Sequence, residues 1–180
     1  MHRLLALGAP EFVLKRQQWV PREIDEVFAF FEDPRNLPRI TPPWLGFKLL
    51  SIEPDSIRAG TQIVYRLRWF GVPYLWRTLI AEWVPNDRFV DTQLNGPYIL
   101  WHHTHTFEPR GGGVLMSDVV RYRLPFGLFG MLLYRLLVRR QLKEIFDYRV
   151  KRIAELLSEG QAHVDPPPFA DSRLSELAEN

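Results

Sequence analysis

Residues 98–124 read YILWHHTHTFEPRGGGVLMSDVVRYRL, in which a glycine triplet separates two runs rich in aromatic and β-branched residues. Such runs, here at 98–108 and 114–124, are typical of β-strands. A connection as short as Gly111-Gly112-Gly113 joins antiparallel neighbours, because a parallel crossover needs a dozen or more residues. The sequence therefore predicts a β-hairpin here, and similar runs recur through most of the preceding chain.

Five further strands are predicted upstream of this hairpin, with turn-forming residues between them. Their ranges are 12–20, 46–53, 61–70, 74–84 and 88–94, and the turns include Gly71-Val72-Pro73, Pro85-Asn86-Asp87 and Asn95-Gly96-Pro97. Two short helices are expected after the first strand. Pro21 suits the first position of a helix that ends near Asp33-Pro34. A helical turn over 36–40 then stops before Pro42-Pro43.

The longest helix is expected last, from about Gly130 to Ser158, where apolar residues recur at helical spacing. A sheet that is apolar on one face must cover that face, and this helix is the only predicted element long enough to do so. The order of elements therefore predicts an α+β fold in which a curved antiparallel sheet of about seven strands wraps around the C-terminal helix. If the sheet curls, a space opens between its concave face and the helix.

Strand alternation predicts which side chains face this space, because successive residues of a strand point to opposite sides of the sheet. The inward set is mostly aromatic or apolar and includes a few titratable groups. We expect ligand contacts from Tyr65, Trp69, Trp76, Thr78, Asp91, Gln93, Trp101, His103, His105, Met116, Asp118 and Tyr122 on the strands, and from Val138 and Leu142 on the helix. An apolar lining with a few polar groups is the usual composition of a small-molecule pocket.

His103, His105 and Asp118 are the candidate catalytic residues of this set. A histidine beside a carboxylate can act as a general base that the carboxylate orients. No activated nucleophile accompanies them, since Ser117 faces the other side and the chain has no G-x-S-x-G turn. The simpler alternative is that the histidines hydrogen-bond to neighbouring strands, because an unpaired buried polar group costs about 1–3 kcal/mol.

The same two histidines also raise the question of a metal site. They lie two apart on one strand and share a face, so Asp118 or Asp91 would complete a set of two histidines and one carboxylate. His102 lies on the opposite face and weakens the cluster. Hydrogen bonding explains the pair more simply, and we expect neither a metal ion nor another cofactor.

The composition excludes several other classes of protein. The chain has no cysteine, which excludes disulfides, thiolate metal sites and cysteine nucleophiles. The glycine triplet lacks the G-K-[S/T] of a phosphate-binding loop, and no dinucleotide fingerprint or H-E-x-x-H helix is present. We expect no nucleic-acid partner. The apolar run in MHRLLALGAPEF, residues 1–12, is too short for a secretory signal, so a cytoplasmic location is expected.

Residues 121–152 are strongly basic, with nine basic residues against Glu144 and Asp147. A helix with one solvated face is the simpler interpretation. The segment 128–138, LFGMLLYRLLV, is apolar nearly all round but falls short of the ~20 residues needed to span a bilayer. The alternative is peripheral membrane contact through residues 128–140, with the flanking arginines meeting anionic lipid.

Several motifs, together with the glycine-rich hairpin and the long closing helix, resemble a known superfamily. They are FAFF at 28–31, PRNL at 34–37, ITPPWL at 40–45, Gly60-Thr61, Gly96-Pro97-Tyr98, WHHTHTF at 101–107 and RRQL at 139–142. Over residues 12–157 the chain resembles the START/Bet v 1-like (SRPBCC) helix-grip superfamily and, within it, bacterial proteins of the polyketide cyclase/dehydrase-like subgroup. The resemblance implies a START-like ligand-binding domain at 1–159, followed by a polar tail at 160–180.

The resemblance leaves three hypotheses for function, because members of the superfamily bind lipids, sterols, polyketides, quinones or plant hormones, and some catalyse cyclisation or dehydration. The favoured one is binding or carriage of a small hydrophobic ligand with a polar end, of lipid, polyketide, quinone or aromatic type. The second is a cyclase/dehydratase-like enzyme, a lyase or isomerase that uses His/Asp acid–base chemistry. The third is a lipid-handling protein at a membrane surface.

Overall fold

The computed structural model describes residues 10–69, 71–125, 132 and 134–158, and only the backbone of residues 69, 134 and 135. The strands are β1 (Glu11–Val20), β2 (Lys48–Glu53), β3 (Gln62–Trp69), β4 (Val72–Val84), β5 (Arg88–Asn95), β6 (Leu100–Arg110) and β7 (Gly113–Arg123). The helices are α1 (Ile24–Glu32), α2 (Leu37–Ile40) and α3 (Arg139–Ser158). A π-helical turn, Tyr134–Val138, leads into α3.

The seven strands form one sheet in the order β1-β7-β6-β5-β4-β3-β2, and each neighbouring pair is antiparallel. The register shifts between β2 and β3 and twice between β4 and β5. Such irregularities bend a strand and increase its twist. The predicted α+β helix-grip fold, with its curved sheet, two short helices after the first strand and a long C-terminal helix, is confirmed.

Several predicted boundaries differ from the structure, and the starts of α1 and β4 differ for a local reason. Helix α1 begins at Ile24 and not at Pro21, because the N–H of Arg22 turns back to the carbonyl of Val20 and Glu23 is still extended. Strand β4 begins at Val72, two residues earlier than predicted. Trp69 and Val72 already pair, and Gly71 supplies the positive φ of 79° that a turn of two residues requires.

Helix α3 crosses the concave face of the sheet and belongs to two hydrophobic clusters. Ile153 joins a cluster with Val27 and Phe28 of α1 and with residues of β5, β6 and β7. Leu142 and Phe146 join a second cluster with aromatic residues of β4, β6 and β7. Full burial of a side chain of this size contributes about 1.5–3 kcal/mol, so the two clusters fix α3 against the sheet at separate points along its length.

The predicted tail, 160–180, lies outside the described residues, and the division of the chain at 159 stays a prediction. In the part of the chain that the structure describes, no helix is long and apolar enough to cross a membrane. The segment predicted to contact a membrane, 128–140, is described only in part. There the leucines at positions 132, 136 and 137 are all exposed, at 53%, 64% and 44%.

Candidate functional site

A cavity of about 170 Å³ lies between the concave face of the sheet and α3. Of the residues predicted to face it, the cavity is lined by Tyr65, Trp76, Thr78, Asp91, Trp101, His103, His105 and Leu142. The rest of the lining is mostly apolar, and part of it comes from the segment that joins α1 to β2. Cavities of about 150 Å³ admit one aromatic ring such as benzene, so this one suits a small ring compound or a short acyl chain.

Aromatic rings form much of one wall and hold one another in place. The ring of Trp76 stacks on Tyr65 with centroids 6.1 Å apart and meets the edge of Trp101 at 5.3 Å. Tyr98 contacts both tryptophans, at 5.7 and 4.9 Å. Aromatic pairs in such tilted or offset arrangements add about 0.5–1.5 kcal/mol each beyond the burial of their area. These contacts hold the rings in fixed orientations, so they form a rigid apolar wall against which an apolar ligand can pack.

Four titratable side chains form a cluster on the sheet side of the cavity. The strand register sets His103 opposite Asp91 and His105 opposite Asp118. Each Nε2 also reaches the diagonal carboxylate: His103 Nε2 lies 2.9 Å from Asp118 Oδ1, and His105 Nε2 lies 3.0 Å from Asp91 Oδ2. The Nδ1 atoms lie 3.4 Å from Asp91 and 2.8 Å from Asp118, respectively. Each carboxylate therefore contacts both rings.

Burial and the close contacts act in opposite directions on the two carboxyl groups. Burial raises the pKa of Asp118, but the hydrogen bonds to His103 and His105 together outweigh it and hold that pKa well below its ordinary value. The pKa of Asp91 is also lowered: burial again opposes the shift, and the charge of His103 and the hydrogen bond to His105 overcome it. Both carboxyl groups are therefore ionised at neutral pH.

The two histidines respond differently to this environment. Burial lowers the pKa of His103, and the neighbouring charge of His105 lowers it further. For His105 burial acts in the same direction, but the hydrogen bonds to Asp118 and Asp91 outweigh it and raise the pKa. As the pH falls, His105 is therefore protonated before His103. With Asp118 ionised, Nε2 of His103 donates to it, which leaves Nδ1 of the neutral ring without a proton.

The cluster can act chemically as an oriented base beside an apolar cavity. His103 and His105 line the cavity, whereas Asp118 does not and holds both rings from the side. Phe89 stacks on His105 with centroids 4.1 Å apart, and the edge of Phe146 meets His103 at 5.6 Å. These rings keep water from the histidines, so a proton acceptor is placed in a dry environment.

A cation could also be accommodated in this cluster. One ligand atom from each of Asp91, His103 and His105 lies within 4.8 Å of the others. The same distances are those of hydrogen-bonded ion pairs, and one such pair already joins Nε2 of His105 to Asp91. The expectation that the protein holds no metal or other cofactor stays a prediction.

Some residues predicted to contact a ligand do not line the cavity. Both amide atoms of Gln93 bond to the backbone of Tyr98, so its side chain is already used. Met116 packs in the cluster next to α1, while Tyr122 and Val138 are buried beneath the cavity wall. The side chain of Trp69 lies outside the described part. As ligand contacts, all of these residues stay predictions.

Arg149, which is not among the site residues predicted from the sequence, lines the cavity from α3. Its spacing from apolar residues of the helix could have identified it. Arg149 follows Leu142 by seven residues, Ile145 by four and Phe146 by three, and those three residues also line the cavity. A cation at this spacing lies on the apolar face of the helix and not on the solvated one.

The described residues thus form a helix-grip protein with an apolar cavity that bears a polar cluster on one wall. Residues 20–153 match the model of the family described as "Polyketide cyclase / dehydrase and lipid transport", and the chain belongs to that family. A search of curated proteins found no match.

Solved structures with the same fold come from several kinds of protein. Norcoclaurine synthase from Thalictrum flavum, in complex with dopamine and hydroxybenzaldehyde, matches with a TM-score of 0.65 and 14% identity, covering 91% of this chain and 95% of that one. The protein TTHA0849 from Thermus thermophilus matches at 0.62 and 22% identity, covering 85% and 100%. The di-domain ARO/CYC StfQ from the steffimycin biosynthetic pathway matches at 0.63 and 13% identity, covering 83% of this chain and 51% of that one. At these identities the likeness shows a shared fold.

Proposed function

We propose that the protein binds or carries a small hydrophobic molecule with a polar end in the cavity between the sheet and α3. The observation that carries the proposal is a mostly apolar cavity in which one wall bears the His–Asp cluster and another is made of stacked aromatic rings. Apolar walls provide affinity, and a few fixed polar groups select the orientation of the ligand. The family description, which names both lipid transport and polyketide cyclase/dehydrase, supports a ligand of lipid or polyketide type.

Native mass spectrometry of gently purified protein tests this function. We expect an adduct of a small molecule that is retained under native conditions and lost on denaturation. The empty protein would then be incubated with a mixture of short fatty acids and aromatic amides and measured again. A protein that arrives empty and takes up no member of the mixture would contradict the proposal.

The second candidate is a cyclase/dehydratase-like enzyme, which the His103–Asp118 pair favours. A base that removes a proton from the carbon next to a carbonyl group leaves an enolate. The enolate then attacks a second carbonyl of the same molecule, which forms a ring, or expels a β-hydroxyl group that leaves as water once protonated. Nδ1 of His103 is the acceptor that the cluster leaves for this proton, and Asp118 orients the ring.

Deuterium exchange tests the second candidate without knowledge of the substrate. 4-Phenyl-2-butanone is incubated with the protein in D2O, and loss of the proton signals next to the carbonyl is followed by NMR. We expect faster exchange with the wild type than with the variant His103→Gln. His102→Gln is the matched control, because His102 is adjacent in β6 but belongs to the other face of the sheet. Equal exchange in all three proteins and in buffer would contradict a role for His103 as a base.

A further inference from the structure

Arg149 brings a permanent positive charge into the apolar cavity. It lies on the same face of α3 as Leu142 and Phe146, and all three line the cavity. Its guanidinium carbon lies 5.4 Å from the centroid of the Phe146 ring. The attraction of the ring for the positive charge offsets part of the cost of burying it. Solubility does not explain a charged side chain at the centre of an apolar stripe, because burying a charge costs free energy.

The described part of the chain provides no carboxylate that pairs directly with Arg149. Several other cations of α3 differ in this respect: Arg140 pairs with Glu144 and Lys143 with Asp147, each one helical turn away. Arg149 has no acidic residue three or four positions away in either direction. Asp91 is near enough for Arg149 to contribute to the lowering of its pKa, but its close contacts are with the two histidines.

Two hydrogen-bond donors of the cavity lining also lack an acceptor. Nε of Arg149 and Nε1 of Trp76 are both buried, and neither has a hydrogen-bond partner among the described residues. Both groups can only donate. A buried donor without an acceptor is costly, so an occupant that supplies oxygen atoms would be favoured over a purely apolar one.

We propose that the ligand of this cavity carries a carboxylate and that Arg149 binds it. This inference rests on the proposed function and adds to it the chemical class of the polar end. The planar guanidinium offers parallel N–H donors that match the two oxygens of a carboxylate, and the hydrogen bonds are charge-assisted on both sides. The apolar part of the ligand then lies against the aromatic wall, and the volume of about 170 Å³ restricts it to a single ring or a short acyl chain.

If Arg149 binds a carboxylate, ligands that have the same shape and differ in charge should bind with different affinities. Cinnamate and cinnamamide form one such pair, and octanoate and octanamide form another. We expect the wild type to bind each carboxylate about 10- to 100-fold more tightly than its amide in isothermal titration calorimetry. The variant Arg149→Gln should remove this preference while it retains affinity for the amides. Arg149→Lys, which keeps the charge but not the paired donors, should retain part of the preference.

Arg139→Gln is the matched control, because it removes one positive charge from the exposed face of the same helix. It should leave the carboxylate preference unchanged, which excludes an effect of net charge alone. If Arg149→Gln does not fold, as judged by circular dichroism, Arg149→Lys decides the outcome. Equal affinity of the wild type for both members of each pair, or an undiminished preference in the folded Arg149 variants, would overturn the carboxylate proposal and leave the proposed function standing. Failure of all four compounds to bind would contradict both.

Discussion

Asp118 lies directly opposite His105 in the β6–β7 ladder, and its Oδ1 atom is 2.8 Å from Nδ1 of that histidine. The same oxygen lies 2.9 Å from Nε2 of His103. One carboxylate thus connects the two rings that face the cavity, and the pKa values of both histidines depend on it. The first two predictions follow from this arrangement.

Asp118→Asn should destabilise the fold strongly. Removing one member of a buried ionic cluster leaves its partners without compensation, which costs about 3–5 kcal/mol. The free energy of unfolding, measured by urea titration at pH 7.5, should fall by roughly that amount. Asp147→Asn is the control: Asp147 pairs with Lys143 at the surface, and its loss should cost less than about 1 kcal/mol. Similar losses in the two variants would contradict the role assigned to Asp118.

The pH dependence of stability should also change in Asp118→Asn. In the wild type, the raised pKa of His105 lets the folded state bind a proton more readily than the unfolded chain, whereas the lowered pKa of His103 does the reverse. These effects oppose each other as the pH falls through 6.5. Without Asp118, only Asp91 opposes the effect of burial on the pKa of His105, so that pKa falls and the folded state binds a proton less readily. Stability then decreases more on acidification than in the wild type. Urea titrations at pH 7.5, 6.5 and 5.5 should show a steeper loss in the variant; parallel profiles would contradict this coupling.

Gly96→Ala should loosen Tyr98 at the edge of the cavity. A Cβ atom at position 96 would lie 2.1 Å from Oε1 of Gln93, whose amide holds the backbone of Tyr98 through two hydrogen bonds. Displacing this amide should cost about 1–2 kcal/mol in the free energy of unfolding. The background variant Gln93→Ala provides the control, because Gly96→Ala should then cost almost nothing. Equal costs in both backgrounds would show that the Gln93 side chain is not involved.

The peripheral membrane contact predicted for 128–140 can be tested at its exposed leucines. Leu136 and Leu137 lie beside the exposed Arg139, so a peripheral contact would place them in the lipid interface. Vesicles that contain anionic lipid should then retain the wild type on flotation and release the variant Leu136→Glu/Leu137→Glu. The control Leu75→Glu/Leu94→Glu adds the same charge at exposed positions of the sheet and should float like the wild type. A wild type that does not float would remove this alternative.

The sequence predicted the faces of the strands but not their register. Alternation alone placed His103, His105 and Asp118 on the inward side, since the period of a strand is two residues. The pairing of His103 with Asp91 and of His105 with Asp118 depends on the lengths of the turns that join β5 to β6 and β6 to β7, and on where pairing begins, which only the folded sheet reveals. The sequence therefore identified the residues of the cluster but not the hydrogen bonds between them.

The helix and the irregular segments were harder to predict. The overall charge of 121–152 predicted that its basic residues share one solvated face. Arg149 is the exception, because its spacing from the apolar residues of the helix places it on the inward face. Thr41, Leu45 and Phe47, which also line the cavity, lie in or beside short turns between α2 and β2. Turns have no hydrophobic period, so a pattern along the sequence could not show that these residues face the ligand space.

The most direct test of the central claim is to fill the cavity and measure ligand binding. Leu67 lines the cavity from β3, whereas Leu75 is exposed at 46% on the neighbouring strand. Calorimetric titration with cinnamamide and octanamide, which carry no charge, should show binding to the wild type and to Leu75→Trp and at least a tenfold loss of affinity in Leu67→Trp. Unchanged affinity in a folded Leu67→Trp variant would show that the ligand binds elsewhere and would contradict the account.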